Sequence, residues 1–517
     1  MGRYDSLVHG PIILSRFKVF GWVSAILCQP EGWPMLLMWW SALVQRRKYI
    51  CFWLVLCLFP PGASASMFDS LSELAADIEF SGYIKNDTAF RYLEPRSFTK
   101  IRNTLSLRAK YPINDMAELT VGGWYYHDLV YQLFNYDTVT ARAERDFLQP
   151  LNFIEALNEE QDSNVLDVRE FYLDLFLDRM DIRLGRQQVI WGVMTGVRIV
   201  DEINPMDFRE LILLDLLDYR IPLWTLKADY YLDNSTLELL WIPDIKFHKP
   251  APSGSEWELL QEVPGTVFPD SMTIRNSEYG IKWSGMLWDT ELSLSYLDTW
   301  DDFPVIFRKV RVDRVVEEPE FYPTYTRIKM LGTTFQRQIG ATVLKGEFSY
   351  VLDKFFGLAT VDRDGDGYLD NQGELKKDHV RWGIGLDFNL FKTDFSPGIM
   401  QWIILDYDSA IIQDQFDTSL NLFVRKELPE QKAVFQMLAV SLVTLRELYL
   451  KPEITFSVTD RFSVGAGVDL FFGKPSQVGV AAENGRAVDL VEIVQRFQFV
   501  GNFNRNKRLF MEFKYSF

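Results

Sequence analysis

The chain has 517 residues, of which 48% are hydrophobic, 15% aromatic and 24% charged, and its formal net charge is −17. An acidic balance of this size argues against nucleic acid as a partner, because binding to phosphate backbones depends on clustered basic side chains. The mean hydropathy is near zero, so the abundant apolar residues are interspersed with polar ones, which favours strands with one apolar face.

The first 65 residues are predicted to be a leader that ends in a cleavable secretory signal peptide. A basic cluster over 46–48 precedes an apolar run over 50–59, and Ala63-Ser64-Ala65 forms a small-residue cleavage site. The apolar run has about ten residues, which is too short to cross a bilayer as a helix. We expect cleavage near Ala65; an uncleaved anchor is the alternative, and the two prolines that follow the run disfavour it.

Residues 1–37 precede a signal that is already complete, so we interpret them as a misassigned start. Met35 and Met38 both lie just upstream of the basic cluster. The cysteines of the chain all lie before the cleavage site, at Cys28, Cys51 and Cys57. The mature chain is therefore expected to lack disulfides, thiolate metal sites and cysteine nucleophiles.

After a short periplasmic helix predicted over 66–77, the chain from 78 to 517 alternates apolar and polar residues in strand-length segments. Val380–Leu390 and Phe462–Phe472 are the clearest examples, and this alternation predicts strands with two different faces. No mature segment reaches 18 consecutive apolar residues, which excludes helical membrane spans. A soluble β-sandwich would show the same alternation and is the alternative.

Three features favour a transmembrane antiparallel β-barrel over a sandwich. Tight turns alternate with long connections, aromatic residues cluster at strand ends, and the last strand is amphipathic, as in barrels with short periplasmic turns and long extracellular loops. The turns give about 18 strands, with 16 as the alternative, because residues 411–445 divide in more than one way. The predicted turns are Pro112–Asp115, Asp178–Met180, Asp233–Ser235, Ser284–Met286 and Thr459–Asp460.

The last predicted strand, over 507–517, carries apolar residues at every second position. Phe513, Tyr515 and Phe517 share its apolar face. The pattern resembles the assembly signal that outer-membrane barrels present to their insertion machinery, so this machinery is an expected partner. An even strand count would place both barrel ends in the periplasm and the long loops outside.

The segment Asp362–Asp370 matches the first nine positions of a calcium-binding loop. Its carboxylates stand at alternate positions, and Gly367 allows the sharp turn. The predicted Ca²⁺ ligands are Asp362, Asp364, Asp366 and Asp370. The match fails at position twelve, where Gly373 stands in place of a bidentate glutamate. The alternative is a solvated acidic loop, and no other cofactor is expected.

Four charged residues on two neighbouring predicted strands are expected to face the lumen. They are Asp174, Asp178, Asp181 and Arg183. Such groups line water in a wide barrel and set solute preference, and the alternative is that they are ordinary lumen-filling pairs. The histidines of the mature chain are far apart and belong to no catalytic motif, so we predict that the protein is not an enzyme.

The stretches Leu184–Gly192 and Asp201–Arg209 resemble the central signature of an uncharacterised family of Gram-negative outer-membrane β-barrels. Similarity continues at Ile221–Trp224, at Leu239–Asp244 and in the closing strand. The resemblance implies a porin-like protein, associated with transporters of the resistance-nodulation-division (RND) type and with lipid or hydrocarbon handling, and it carries over no catalytic residues. The signature residues that we single out are Gly185, Arg186, Gln187, Trp191, Gly192, Asn204 and Pro205.

The loop over 191–221 contains most of this signature and has three possible arrangements. It folds inward as a constriction, caps the barrel, or packs outside with no gating role. The leading functional prediction is a channel for small hydrophobic or amphiphilic organic solutes in the outer membrane of a Gram-negative bacterium. The alternatives are a non-conducting barrel that docks a periplasmic lipid or export system, and an outer-membrane hydrolase.

The expected surroundings of the mature chain follow from its charge. The leader holds 6 of the 54 basic and 2 of the 71 acidic residues, so 48 basic and 69 acidic residues remain, a net charge of −21. Such a surface suits an environment of outer-membrane lipid and divalent-bridged lipopolysaccharide. An RND-type transporter system is a further expected partner, on the resemblance alone.

Overall fold

The computed structural model describes residues 78–141, 163–213, 218–252, 255–258, 265–311, 320–359, 361–475 and 498–517. The predicted leader, its cleavage site and the helix predicted over 66–77 lie outside these residues. Within the described ranges, no helix has the length and apolar character needed to cross a membrane.

Twenty strands, two short α-helices and three 3-10 helices (Asp370–Gly373, Pro429–Gln431 and Gly501–Phe503) lie within the described residues. The strands are β1 (Glu79–Arg91), β2 (Ser97–Asn114), β3 (Ala117–Asp128), β4 (Asn164–Leu177), β5 (Met180–Gln187), β6 (Leu223–Tyr231), β7 (Ser235–Ile242), β8 (Glu278–Leu287), β9 (Thr290–Trp300), β10 (Val305–Lys309), β11 (Glu320–Thr324), β12 (Arg327–Ile339), β13 (Thr342–Gly357), β14 (Glu374–Leu390), β15 (Thr393–Ile404), β16 (Phe416–Leu428), β17 (Ala433–Leu442), β18 (Glu447–Ser457), β19 (Phe462–Phe472) and β20 (Arg508–Ser516). The α-helices are α1 (Val130–Leu133) and α2 (Tyr136–Thr140).

Eighteen of the strands form a closed antiparallel barrel. Each pairs with its neighbour in chain order, except that β9 pairs with β12 because β10 and β11 form a separate hairpin. The ring closes where β1 pairs with β20, from Tyr83 opposite Ser516 to Arg91 opposite Arg508. Beyond this ladder, Gly82 and Phe517 exchange two backbone hydrogen bonds of 3.1 and 3.0 Å. The predicted fold class and the count of 18 strands are confirmed.

The barrel has an apolar outer face and a polar inner face. Large apolar side chains such as Leu184, Leu294 and Leu331 are exposed on the outside of the wall. The inward positions of the same wall hold buried polar residues such as Thr120 and Ser349. This arrangement inverts that of a soluble protein and is typical of a barrel surrounded by lipid. The sandwich alternative is therefore wrong.

The two ends of the barrel differ in the length of their connections. At one end, which we call the turn end, the strands are joined by tight hairpins such as 115–116, 178–179 and 391–392. The opposite end, the loop end, carries the long connections, among them 188–222, 243–277 and 473–507. The barrel thus has short turns at one end and long loops at the other, as the sequence predicted.

One predicted turn is wrong. Ser284–Met286 lies inside β8, where Ser284 pairs with both Thr236 and Ser293. The chain instead turns at Trp288 and Asp289, whose φ angles of 49° and 57° are left-handed. Small residues suggested the turn, but the strands on both sides supply hydrogen bonds that keep this segment extended.

Candidate functional site

We call the connection between β5 and β6, residues 188–222, the inward loop, because its described residues, 188–213 and 218–222, fold into the barrel. Its two limbs are joined by the side chain of Asn204, which is buried. The Val189 N–H donates to Asn204 Oδ1 (2.8 Å), and Asn204 Nδ2 donates to the Ile221 carbonyl (2.8 Å). The Ile221 N–H also donates to the Pro205 carbonyl (2.8 Å). The signature pair Asn204-Pro205 thus fastens the base of the loop.

Trp191 attaches the loop to the wall nearest its base. Its indole N–H donates to Glu238 Oε1 on β7 (2.6 Å). On β8, a side chain at Gly280 would come within 2.8 Å of the indole ring, so glycine makes room for the tryptophan. Around the indole ring of Trp191, the inward-facing positions of the barrel wall are apolar instead of polar. This cluster consists of Val189, Trp191, Ile203, Leu223, Leu240, Ile242, Leu297, Ile328, Met330 and Val351.

Glu347 on β13 receives the tip of the inward loop. Its carboxylate accepts hydrogen bonds from three backbone N–H groups, those of Val193 (2.5 Å), Met194 (2.7 Å) and Val200 (3.2 Å). The carboxylate also lies 3.0 Å from where a Cβ at Gly192 would stand. Converging N–H donors compensate a buried carboxylate for its lost hydration.

Further contacts carry the inward loop across the whole lumen. Asn421 Nδ2 on β16 donates to the Thr195 carbonyl (2.8 Å). Around the ring of eighteen, β16 lies nine strands from β5, which is halfway round. The loop therefore spans the interior from one wall to the opposite one.

Ion pairs hold the inward loop to two other parts of the wall. Arg381 on β14 contacts Glu202 at 2.7 Å. On β2, Lys100 and Arg102 both form ion pairs with Glu210. Burial by itself would raise the pKa of Glu210, but these two cations hold it well below its ordinary value. Glu210 is therefore charged, and it is bound by two cations of β2.

Two other long connections pack beside the inward loop at the loop end. Trp257, from the connection between β7 and β8, lies 5.7 Å from Phe471 and 5.6 Å from Phe503 between ring centres. The buried cluster that they share is Leu211, Leu213, Ala251, Trp257, Tyr449, Phe471, Val500 and Phe503. Three connections thus form one apolar core inside the barrel mouth.

Between this core and the wall lies a cavity of about 320 Å³, close to the lower limit for small-molecule sites. Its wall side is formed by β1–β3 and β17–β20, and its loop side by residues from the inward loop and by residues 252 and 255–257. Nine acidic and six basic residues line it, together with tyrosine, tryptophan and phenylalanine rings. This cavity, which we call the lumenal cavity, offers both charged and aromatic contacts.

The predicted lumen-facing charges occupy different positions. Asp174 is buried and accepts from Arg183 Nε (2.6 Å) and Nη2 (3.0 Å) across β4 and β5. Asp181 accepts from the Tyr231 hydroxyl (2.7 Å). Asp178 does not lie on a strand; it is exposed in the turn between β4 and β5, since the strand ends one residue earlier.

The remaining signature residues lie on β5 and support the wall. Gly185 has a φ of 141°, and a Cβ there would overlap the Phe171 carbonyl. Arg186 Nη2 donates to Asp167 (3.0 Å), and Gln187 Nε2 donates to the Thr225 carbonyl (3.1 Å). These residues fix where the wall ends and the inward loop begins.

The acidic loop between β13 and β14 brings three of its four predicted ligands together. Carboxylate oxygens of Asp362, Asp364 and Asp370 lie within 4.8 Å of one another. Asp366 is outside this group and caps the backbone N–H of Tyr368 (2.7 Å). These three carboxylates are a reasonable donor set for a hard cation such as Ca²⁺.

The position that fails in the calcium pattern has a structural reason. Gly373 stands at position twelve with a φ of 78°, and its carbonyl accepts from Arg308 Nη1 (2.9 Å). Glu374, one residue later, lies 3.5 Å from the same guanidinium. The carboxylate that would complete the loop is thus directed to a buried arginine.

The three histidines among the described residues lie in separate parts of the chain. His127 Nδ1 contacts Asn164 Oδ1 at 2.6 Å. His248, in the connection between β7 and β8, accepts the Met206 N–H at Nδ1 (2.9 Å). His379 on β14 accepts from Arg381 Nε (2.9 Å). Each has a local structural partner.

Sequence reasoning missed the residues that receive the inward loop, above all Glu347, Arg102 and Asn421. Each stands at an inward position of a strand with at least one polar neighbour two residues away, so alternation marks it as lumen-facing. Nothing in that alternation distinguishes a residue in contact with water from one in contact with another segment.

The sequence profile of a family described as "Protein of unknown function (DUF1302)" matches residues 98–376, more than half of the chain. The chain belongs to the DUF1302 family. The match runs from β2 to the start of β14 and includes the inward loop, so the resemblance on its signature residues is confirmed. The closing strand of this DUF1302 protein lies outside the match.

Solved structures similar to this DUF1302 protein include outer-membrane proteins of Acinetobacter baumannii and Pseudomonas aeruginosa. OccAB2 of Acinetobacter baumannii is 10% identical with a TM-score of 0.45, over 86% of this chain and 98% of that one. The outer membrane protein OpdK of Pseudomonas aeruginosa is 9% identical with a TM-score of 0.43, over 86% and 99%. OccK2 (OpdF) of Pseudomonas aeruginosa, in complex with glucuronate, is 9% identical with a TM-score of 0.45, over 85% and 98%. No curated protein matches the sequence.

Proposed function

We propose that this protein is a porin-like channel of the Gram-negative outer membrane for small organic solutes. The observation that carries the proposal is the closed ring of eighteen strands with a polar inner face and an apolar outer face. Barrels of this strand number enclose enough space for water and solutes, whereas eight-stranded barrels are filled by their own side chains. Outer-membrane barrels place their short turns in the periplasm, so the turn end of this protein faces the periplasm.

The inward loop is the constriction of this channel. It crosses the lumen and is attached to opposite walls through Trp191, Glu347 and Asn421. A segment held at both sides narrows the passage and leaves the solute a path along the remaining wall. Its many polar attachments favour a fixed constriction over a freely swinging lid.

The solutes are amphiphilic organic molecules rather than purely hydrophobic ones. Charged residues of both signs and aromatic rings line the lumenal cavity together. A hydrocarbon would leave the charged groups without hydration, which costs free energy for each buried group. A solute with a polar group and an apolar part satisfies both kinds of lining.

Planar-bilayer recordings test the channel. The full-length mature protein is compared with a variant in which residues 191–221 are replaced by a short flexible linker. We expect discrete conductance steps from the intact protein and steps several times larger from the variant, because the constriction is gone. Absence of conductance in both proteins would contradict the proposal.

A docking barrel for a periplasmic lipid or export system, such as one of the RND type, is the second candidate. One observation favours it: two turn tips expose bulky aromatic residues, Trp288 (81% exposed) and Phe391 (85% exposed). Turn tips are normally polar, so these two exposed aromatic side chains are available for contact with another protein. Co-purification of one defined periplasmic protein, lost in a Trp288→Ser/Phe391→Ser variant that still assembles, would support docking.

A further inference from the structure

Two buried groups of opposite charge in the lumenal cavity have atoms without a partner. Glu256 is 3% exposed and Arg508 is 5% exposed, and both line the cavity. Among the residues that the structure describes, Glu256 Oε2 and Arg508 Nη1 find no hydrogen-bond partner. A buried polar atom left unpaired costs about 1–3 kcal/mol, and more when its group is charged.

The backbone at Glu256 and the side chain of Arg508 are both held in place. The Glu256 carbonyl accepts from Asn506 Nδ2 (2.9 Å), and the adjacent Trp257 is packed between Phe471 and Phe503. Arg508 Nε donates to Asp469 Oδ2 (2.7 Å). Its guanidinium carbon also lies 5.3 Å from the centre of the Trp257 ring. The backbone beside one group and the side chain of the other are therefore fixed beside the cavity.

The charges around the cavity narrow the class of ligand. Acidic residues outnumber basic ones by nine to six, which disfavours a simple anion. A simple cation would leave Arg508 Nη1 unpaired. The Trp257 face and the ring of Phe510 offer apolar surface in the same space. A ligand with both an ammonium and a carboxylate group satisfies both unpaired atoms and adds no net charge.

We propose that the lumenal cavity is a binding station for small zwitterionic solutes, with the ammonium group on Glu256 and the carboxylate on Arg508 Nη1. The apolar part of the solute lies against Trp257. The station rests on the proposed channel function in that it lies in the path of a solute through the lumen. It names the amphiphilic solute class more closely than the barrel alone does.

Isothermal titration calorimetry on the purified full-length mature protein in detergent tests the station with three matched probes. L-Phenylalanine carries both charges, 2-phenylethylamine only the ammonium, and 3-phenylpropanoate only the carboxylate. We expect L-phenylalanine to bind at least about tenfold more tightly than either half-probe. Equal affinities for all three, or no heat from any of them, would overturn the proposal.

Two variants separate the roles of the charged groups. Glu256→Gln should weaken L-phenylalanine and 2-phenylethylamine by about tenfold and leave 3-phenylpropanoate unchanged. Arg508→Lys keeps a cation beside Asp469 and removes Nη1, so it should weaken only the two carboxylate probes. Glu512→Gln is the matched control, because Glu512 lines the same cavity but pairs with Lys85 at 3.5 Å. A loss as large in this control as in Glu256→Gln would show a long-range charge effect only and end the proposal.

The pH dependence supplies an independent readout. Burial raises the pKa of Glu256 to about 7; Arg508 and Arg91 lower it, and Glu210 raises it further. The carboxylate therefore becomes charged as the pH rises through about 7, and 2-phenylethylamine should bind more tightly at pH 8 than at pH 6. The Glu256→Gln variant should lose this difference, and a difference that persists in it contradicts the assignment.

Conductance of the same samples keeps the two proposals apart. If the protein conducts but binds none of the probes, the channel proposal stands and the binding-station proposal is wrong. If the protein binds L-phenylalanine with the expected variant pattern but never conducts, the binding-station proposal stands and the channel proposal is wrong.

Discussion

At the scale of single residues, the carboxylate of Glu347 bears most directly on the inward loop. It accepts the N–H groups of Val193, Met194 and Val200, which lie about 150 residues earlier in the chain. Hydrogen bonds to a charged acceptor contribute about 1.5–3 kcal/mol each, and an uncharged amide oxygen is a weaker acceptor. The tip of the loop therefore depends on one negative charge.

We expect Glu347→Gln to loosen the tip of the inward loop without unfolding the barrel. Hydrogen exchange at the amides of residues 193, 194 and 200 should accelerate by about tenfold or more, as the loss of about 1.4 kcal/mol implies. Mass spectrometry of the exchanged protein measures this change. Glu118→Gln is the control, because Glu118 pairs with Lys110 on the neighbouring strand (3.1 Å) and lies away from the inward loop. Equal protection in the Glu347 variant and the wild type would be the contrary result.

At the scale of elements, two loop-end connections are joined by a histidine. The Met206 N–H of the inward loop donates to His248 Nδ1 (2.9 Å), in the connection between β7 and β8. Burial, Arg198, Lys354 and Arg381 lower the pKa of His248 to about 3, although Glu202 opposes them. Asp302 Oδ2 lies 3.6 Å from the same nitrogen, and burial raises the pKa of Asp302 well above its ordinary value.

The sign of the pH effect follows from the lowered pKa. The folded state binds neutral His248, so its contribution is fully present above pH 6.5 and is lost progressively as the pH falls towards 3. We expect the melting temperature of the wild type to fall more steeply from pH 7 to 4 than that of His248→Gln, whose amide oxygen accepts without titrating. The opposite contribution of Asp302 is common to both proteins. His127→Gln should retain the wild-type slope, and identical slopes in all three proteins would contradict the assignment.

The acidic loop between β13 and β14 is a second element with a measurable property. We propose that Asp362, Asp364 and Asp370 bind Ca²⁺ and order the loop. Calcium at about ten times its dissociation constant should stabilise the protein by about 1.4 kcal/mol, seen as a higher melting temperature. Asp364→Asn should abolish the increase, whereas Asp366→Asn should reduce it less, because Asp366 lies outside the cluster. No increase at millimolar calcium would disprove binding.

At the scale of the whole molecule, the barrel depends on the seam between its first and last strands. Gly82 lies directly against the Ser106 carbonyl, and a Cβ there would come within 3.1 Å of the Phe517 ring. Closure of the ring therefore requires a residue without a side chain at this position.

We expect Gly82→Ala to destabilise the closed barrel by about 1–3 kcal/mol, the usual range for overpacking. Urea unfolding in detergent, followed by tryptophan fluorescence, measures the difference. Gly465→Ala is the control, because its added Cβ would lie 3.4 Å or more from its neighbours, an ordinary contact distance. A Gly82 variant as stable as the control would mean that the seam tolerates the extra methyl group.

Much of the barrel could be predicted because strand alternation is a local property. The last strand of the ring, Arg508–Ser516, lies within 507–517, where the alternation predicted it. The turn predicted at Ser284–Met286 failed because its residues are locally compatible with a turn while two neighbouring strands hold them extended. Local composition does not report such cross-strand hydrogen bonds.

The sequence by itself predicted about 18 strands with 16 as the alternative, and it determined the apolar and polar faces and Asn204 and Pro205 as part of a signature. Each of these depends on residues close together in the chain. Only the tertiary structure decided where the inward loop goes. Its partners Glu347 and Asn421 are more than 150 residues away. They bind backbone carbonyl groups, which every residue presents, and backbone N–H groups, which every residue except proline presents. A contact to the backbone does not require a particular residue type at the contacted position. The path of the loop therefore cannot be predicted from the pattern of residue types.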